Sequence, residues 1–468
     1  MKRAVSRALL MISVFSIVLV SACNQQTGNG TPEKLYPYEV PYDAAEYRQR
    51  RDDLSLLIPE GAIAVLTTNS LYIRNGDDEF EFRPSSTFYY LTGFEEPNAV
   101  AVLRKRPDLP FSSEMIMFVQ ERSGVDLRWL GPVCGPEGAV ARFGADAAYA
   151  IGTFSEKLKS LLASWNVSSI YTNLGDNEAV QKIISDAAGA GFPVIDVKPL
   201  VDEKRLVKSQ HEIDMTKRAN EVTIQAFIEG IKGTEPLMYE YEVEAAFDFI
   251  LGLNGCYSTA YETILASGPN SCILHYSKNN RQMQTGELVM IDFGAEYGYY
   301  AADITRTFPV NGKFTGPQAV IYDIVKTSHE AIMAAAAPGV NWNTLVSLGI
   351  EIMIDGLLYN GVISGSRSEL ISEPYRRQYI PAGLGHQIGL DVHDPWPVDA
   401  QGNKILRANM LMAIEPGIYL EPQDGTVAEP YRGISVRMED NILITGTGSE
   451  IIDTSLPRTR EEIENMMR

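Results

Sequence analysis

Cysteine is scarce in this chain: four residues among 468 cannot staple a scaffold, so stability has to come from buried apolar surface. Basic charge is short as well. Forty Lys and Arg stand against 60 Asp and Glu, a net charge of −20, which argues against the basic footprint that a nucleic-acid partner requires. There is no P-loop, no G-x-S-x-G nucleophile elbow and no H-E-x-x-H zinc-protease pair. The two H-E-x-x strings, from His211 and His329, end in Met215 and Met333, and Gly383, Gly385 and Gly389 miss the G-x-G-x-x-G spacing. Both histidines are expected to be surface or packing residues of helices. With 45% hydrophobic and 21% charged residues, the composition is that of a globular protein of about two or three domains.

Long hydrophobic runs are missing too. The longest, Ala8 to Val20, falls short of the roughly 20 residues that cross a bilayer as a helix. Lys2, Arg3 and Arg7 precede it and Val20-Ser21-Ala22-Cys23 ends it, which fits a cleaved export signal. This segment resembles a bacterial lipoprotein signal peptide with its lipobox. The resemblance implies that residues 1–22 are removed, that Cys23 carries the lipid, and that the protein is exported to the bacterial cell envelope and tethered to a membrane, inner or outer, by residues 23–37. Loss of the three basic residues would take the net charge from −20 to −23. Cys134, Cys256 and Cys272 then allow at most one intramolecular disulfide.

Two domains are expected beyond the tether. Over residues 38–200, apolar runs such as Ala62 to Leu66, Ala99 to Leu103 and Met115 to Val119 alternate with helical patterns such as Thr153 to Trp165, an α/β arrangement. The aromatic-dense stretch from Phe82 to Phe94 reads first as a core strand and turn, and second as a substrate contact. Over residues 201–468 the pattern is α+β. The S-x-x-E box Ser209 to Glu212 starts a helix, and strands are expected around Leu288 to Phe293, Ala301 to Val310, Met410 to Glu415 and Ile434 to Ile444.

Chemistry concentrates in that second half. A hairpin turning at Tyr297-Gly298 would pair Glu296 with Tyr299 and set Asp292 directly opposite Asp303. Two carboxylates so placed repel unless a proton or a divalent metal lies between them. His386 sits in a glycine-rich loop, Glu415 ends an apolar strand before Pro416, and Glu439 lies two residues from Arg437 on one strand face. An Asp, Asp, His, Glu, Glu set offers mostly hard oxygen donors, which suits a pair of Mn²⁺, Co²⁺, Fe²⁺ or Zn²⁺ ions rather than a structural zinc.

The order Asp292, Asp303, His386, Glu415, Glu439, with the strings IDFGAEY, DITRTFPVNGKF, GLDVHD, EPGIY and MED, resembles the pita-bread metallopeptidases, aminopeptidase P (Xaa-Pro aminopeptidase) first and prolidase next. The FRPSSTFYYLTGF stretch resembles the N-terminal domain those enzymes share. The resemblance implies a creatinase/aminopeptidase-like catalytic domain with two divalent metal ions, manganese first and cobalt, zinc or iron as alternatives. Asp292 would serve one ion, Asp303 and Glu439 would bridge, and His386 with Glu415 would hold the other. It further implies that His275 and His393 bind substrate and stabilise the tetrahedral intermediate. In that arrangement Glu415 is the candidate to shuttle a proton, and Arg437, on the same strand face as Glu439, is expected to orient it. The implied reaction removes the N-terminal residue from peptides with proline second. An Xaa-Pro dipeptidase and a catalytically weak peptide-binding homologue remain the alternatives. One departure stands out: Ala382 occupies the place, four residues before His386, where these enzymes usually carry a histidine. Relatives form dimers or tetramers, so a homo-oligomer is part of the expectation.

Overall fold

A computed structural model describes residues 43–109, 111–189 and 192–468. The expected signal peptide, Cys23 and the tether lie outside the described residues. These residues divide into two units, one ending at Arg205 and the other spanning Leu206–Arg468.

The first unit is built on a six-stranded mixed sheet. Its strands are β1 (Ala62–Thr67), β2 (Val100–Lys105), β3 (Ser113–Val119), β4 (Ala147–Ala150), β5 (Ser169–Thr172) and β6 (Val194–Asp196), in the spatial order β4-β3-β2-β1-β5-β6. Strand β1 is buried along its whole length, which is why Ala62 to Leu66 reads as an unbroken apolar run rather than an alternating one. Helices α3 (Phe154–Ser164) and α4 (Glu178–Ala188) bury Phe154, Leu158 and Leu162, and Val180, Ile184 and Ala188, at helical spacing against Ile63, Val65 and Phe118.

The aromatic stretch departs from the expected strand. Ser86–Thr92 is a short helix, α2, which follows α1 (Ala44–Leu57) in the chain and buries Phe88, Tyr89, Tyr90 and Leu91. Gly93, at φ 64°, closes it with an N–H donated to the Tyr89 carbonyl at 2.7 Å. Arg50 and Arg51 of α1 donate to the Tyr90 and Leu91 carbonyls at 3.1 and 3.0 Å, satisfying groups that a helix end leaves unpaired. Tertiary capping thus outweighs the β-propensity of the aromatics.

The second unit opens with α5 (Gln210–Gly233), whose capping box pairs Ser209 with Glu212 as expected. Helices α6 (Glu240–Leu253), α7 (Gly316–Ala335) and α8 (Trp342–Tyr359) supply apolar faces to one large core. Strands β7 (Ile264–Ser267), β8 (Leu288–Phe293), β9 (Ala295–Tyr297), β10 (Tyr300–Ala301) and β11 (Ile304–Pro309) come first. After α8 come β12 (Gly385–Gln387), β13 (Leu411–Ile414), β14 (Gly417–Tyr419), β15 (Ser435–Arg437), β16 (Asp440–Ile444) and β17 (Ser449–Ile451), and α9 (Arg460–Met466) ends the unit. The ladders β7-β8-β11 and β12-β13-β16-β17 are antiparallel throughout. Cys134, Cys256 and Cys272 are free thiols, and no helix among the described residues is long and apolar enough to cross a membrane.

Candidate metal centre

Strand β8 is buried at all six positions, yet its fifth residue is Asp292. The hairpin beyond it turns one residue later than the sequence suggests. Gly298 and Tyr299 take φ of 56° and 66°, the two positive values of a type I′ turn, and Tyr297 pairs with Tyr300. In this register Asp292 faces Thr305, not Asp303. The shift is two residues in the pairing, so side chains keep their face and the two carboxylates still converge. The Tyr261 hydroxyl joins them, 2.5 Å from Asp292 Oδ1 and 2.6 Å from Asp303 Oδ1.

His386 lies in β12, a short strand rather than a loop, held tightly to β13. Gly385 has φ 149°, and a Cβ there would come within 2.1 Å of the Ala413 carbonyl oxygen, so only glycine fits. The imidazole Nδ1 is 2.9 Å from the Gln387 carbonyl oxygen, which can only accept, so Nδ1 carries a proton. That leaves Nε2 toward the carboxylates, 3.3 Å from Asp303 Oδ2 and 3.7 Å from Glu415 Oε1. Glu415 follows β13 directly and is tied by its N–H to the Leu384 carbonyl at 3.0 Å.

Glu439 sits between β15 and β16. Its Oε2 accepts from Thr305 Oγ1 at 2.7 Å, whereas Oε1 is buried without a hydrogen-bond partner. Arg437 reaches Glu439 only through Thr305: its Nε donates to Thr305 Oγ1 at 3.0 Å. One terminal nitrogen forms an ion pair with Asp292 and the other donates to the Tyr419 hydroxyl at 2.9 Å. The expected orientation of Glu439 by Arg437 is therefore indirect, and Asp292 is the carboxylate that Arg437 touches.

Burial sets the electrostatics. It pushes Asp292 up to about 7, with Asp303 adding repulsion and Arg437 opposing both. Burial likewise raises Glu415 and carries Glu439 well above the carboxylate range. For Asp303 burial is overcome by the hydrogen bond and charge of His386, which hold it below its ordinary value. His386 is the reciprocal case: burial opposes its charge, but Asp303 wins and raises it to about 9. Three buried carboxylates, with the half-buried Glu415 beside them, around one arginine and one imidazole are short of positive charge. Asp303, His386 and Glu439 each present a ligand atom within 4.8 Å of the others. The orphaned Glu439 oxygen and the hard donor set fit a divalent cation.

The His393 ring stands 4.3 Å from that of His386, and burial, reinforced by the His386 charge, lowers its pKa. His275 is exposed, in the segment after β7, close enough for its charge to act on His393. His211 packs edge-on against Tyr300 in α5, and His329 is buried in α7, 3.3 Å from Asp440, so neither joins the cluster. Two members of the site escaped the sequence reading. Thr305 was within reach, two residues beyond Asp303 and therefore on its strand face. Tyr261 carried no local signal, lying 31 residues from Asp292 and 42 from Asp303.

Residues 214–446 match metallopeptidase family M24, and residues 47–171 match the aminopeptidase P N-terminal domain. The chain is 37% identical to the Xaa-Pro aminopeptidase of Escherichia coli, across 90% of its own length and 97% of that protein's. It is 32% identical to human Xaa-Pro aminopeptidase 3, across 93% and 88%. A zinc-substituted E. coli aminopeptidase P in complex with product superposes with a TM-score of 0.87 at 36% identity, covering 92% of this chain and 99% of that one. Fold and similarity agree: an aminopeptidase P N-terminal domain precedes a pita-bread catalytic domain, and the chain belongs to metallopeptidase family M24 as a member of its aminopeptidase P group.

Proposed function

We infer that this metallo-aminopeptidase removes the first residue from peptides whose second residue is proline. The observation that carries the reading is the convergence of Asp303, His386 and Glu439 beside Asp292 and Glu415 in a charge-deficient cluster whose Asp292, Asp303 and Glu439 are buried. The relatives named above are aminopeptidases, which favours this reading over a dipeptidase. An intact donor set speaks against a non-catalytic homologue.

Asp292 would hold one ion, Asp303 and Glu439 both, and His386 with Glu415 the other. The charge count supports a pair: four carboxylates less Arg437 leave three negative charges, more than a single divalent ion offsets. Manganese is the first candidate, with cobalt, zinc and iron as alternatives. When bound, such ions supply Lewis acidity and bring the pKa of a coordinated water down to about 7. The chain's own residues do the rest. Glu415, its carboxyl raised by burial, takes a proton at one oxygen and returns it to the leaving amine. His393 and His275 donate to the oxygen on which negative charge develops. Arg437 and Thr305 hold Asp292 and Glu439 in place.

We also propose that the mature protein begins at a lipid-bearing Cys23 in the bacterial cell envelope, on the strength of the lipobox-like Val20-Ser21-Ala22-Cys23 alone. Hydrolysis of an Xaa-Pro-Xaa tripeptide and of a proline-free tripeptide, by enzyme chelated and then supplied with Mn²⁺, tests the activity. Mn²⁺-dependent release of the first residue only before proline is expected. Turnover of Xaa-Pro dipeptides alone would overturn the substrate class.

A further inference from the structure

The segment from His386 to Asp394 carries two of the site's histidines, and a lysine from outside it holds the segment together. Lys208 lies just ahead of α5 with its side chain fully buried, and the side chain of its partner Asp394 is 1% exposed. Its Nζ donates to Gln387 Oε1 and to Asp394 Oδ2, each at 3.0 Å. The lysine is itself anchored, since its backbone N–H donates to the Asn409 carbonyl at 2.9 Å.

The bridge reaches the imidazoles through short, named links. Asp394 Oδ1 accepts from the Asp391 N–H at 3.1 Å, which folds the turn that presents His393. The Asp394 N–H donates to the Gln387 carbonyl at 3.0 Å. That same carbonyl receives His386 Nδ1–H and so determines that Nε2 faces the carboxylates. Packing gives no reason for a charge here, because an apolar pair of similar volume is often as stable as a buried ion pair. Directional hydrogen bonds from one ammonium to both flanks of the segment give one.

We propose that Lys208 is a positioning residue: its buried ammonium locks Gln387 to Asp394 and thereby fixes the imidazoles of His386 and His393 over the carboxylate cluster. The proposal rests on the roles assigned above to those two histidines. Lys208 touches no reacting atom, and its effect is transmitted through Gln387 and Asp394 alone.

The test uses the whole protein and two variants. Lys208→Met/Asp394→Leu removes both charges, so no uncompensated ion is left inside and the fold should persist. With the bridge gone, Mn²⁺ affinity measured on chelated protein should fall roughly 10 to 100-fold, as for other groups that orient metal ligands. At saturating Mn²⁺, kcat on the Xaa-Pro-Xaa tripeptide should fall by roughly the same factor while KM stays within about threefold. A double variant that melts near the parent and keeps the parent's Mn²⁺ affinity and kcat overturns the proposal. If that variant does not fold, Asp394→Asn, which keeps the shape and weakens the pair, is judged by the same two quantities. Failure of the parent to turn over the peptide would sink the functional reading instead, and the bridge would still be decided by Mn²⁺ affinity.

Discussion

Stripping metal from this site should cost more stability as the pH rises. In the metal-free protein burial holds Asp292 at about 7 instead of 3.8. A carboxyl displaced that far weighs about 4 kcal/mol against folding above its folded-state pKa and nothing below its unfolded one, because the unfolded chain loses its proton first. His386 works in the same direction. Burial opposes its charge, but Asp303 raises it to about 9, so the stability it contributes is whole below 6.5 and lost as the pH climbs through 9. Bound divalent ions remove both trends, since they keep the carboxylates ionised and the imidazole neutral throughout. The difference in thermal midpoint between Mn²⁺-loaded and chelated protein should therefore widen between about pH 5 and pH 8. For a unit of this size each kcal/mol is worth about 2 °C, so the gap should open by roughly 5 to 10 °C. Calorimetric scans with Mn²⁺ and with excess chelator, over a series of buffers, measure it directly. A gap that stays constant or narrows toward alkaline pH would refute the reasoning.

Two further substitutions probe named contacts. Tyr261→Phe removes the hydroxyl that helps keep Asp292 and Asp303 ionised, so protons should compete better with metal. Titration calorimetry should find Mn²⁺ affinity reduced roughly 10 to 100-fold, with the larger loss at the acid end, and an affinity equal to the parent's would rule the contact out as a determinant. His329→Gln addresses acid stability. Burial lowers His329 to about 4 although Asp440 stands 3.3 Å away, because Arg306 and Arg458 already share that carboxylate. A buried neutral histidine contributes stability that is complete above 6.5 and falls away as the pH drops to 4, here by about 3 kcal/mol. The variant should lack that decline in denaturant titrations, and equal losses in both proteins would contradict it.

Much of the site was legible because its strands are apolar and its helix starts carry explicit caps. Leu288 to Ile291 and Met410 to Ile414 could only be buried, and a carboxylate in or just after such a run demands a partner. What the sequence could not supply was register. Glycine serves either central position of a type I′ turn, so Gly298 is compatible with a turn at residues 297–298 or 298–299, and only Tyr299 accepting φ 66° decides it. Nor could local pattern find Tyr261, whose partners are distant in sequence, or the helix Ser86–Thr92, whose end is satisfied by arginines 40 residues earlier.

The way the carboxylates are held bears on why they attract metal at all. Hydroxyl groups do much of the orienting: Tyr261 for Asp292 and Asp303, and Thr305 for Glu439. A hydroxyl fixes an oxygen without cancelling its charge, whereas a cation in its place would compete with the metal. Arg437 is the exception, and it spreads its nitrogens over Asp292, Thr305 and Tyr419 instead of closing on one carboxylate. The cluster consequently stays negative after its own arginine is counted. Apolar strands on each side limit the relief that water can give, so the excess charge must be met by protons or by a multivalent cation. Which of the two meets it depends on pH, and the widening gap between metal-loaded and chelated protein is the direct thermodynamic expression of that competition.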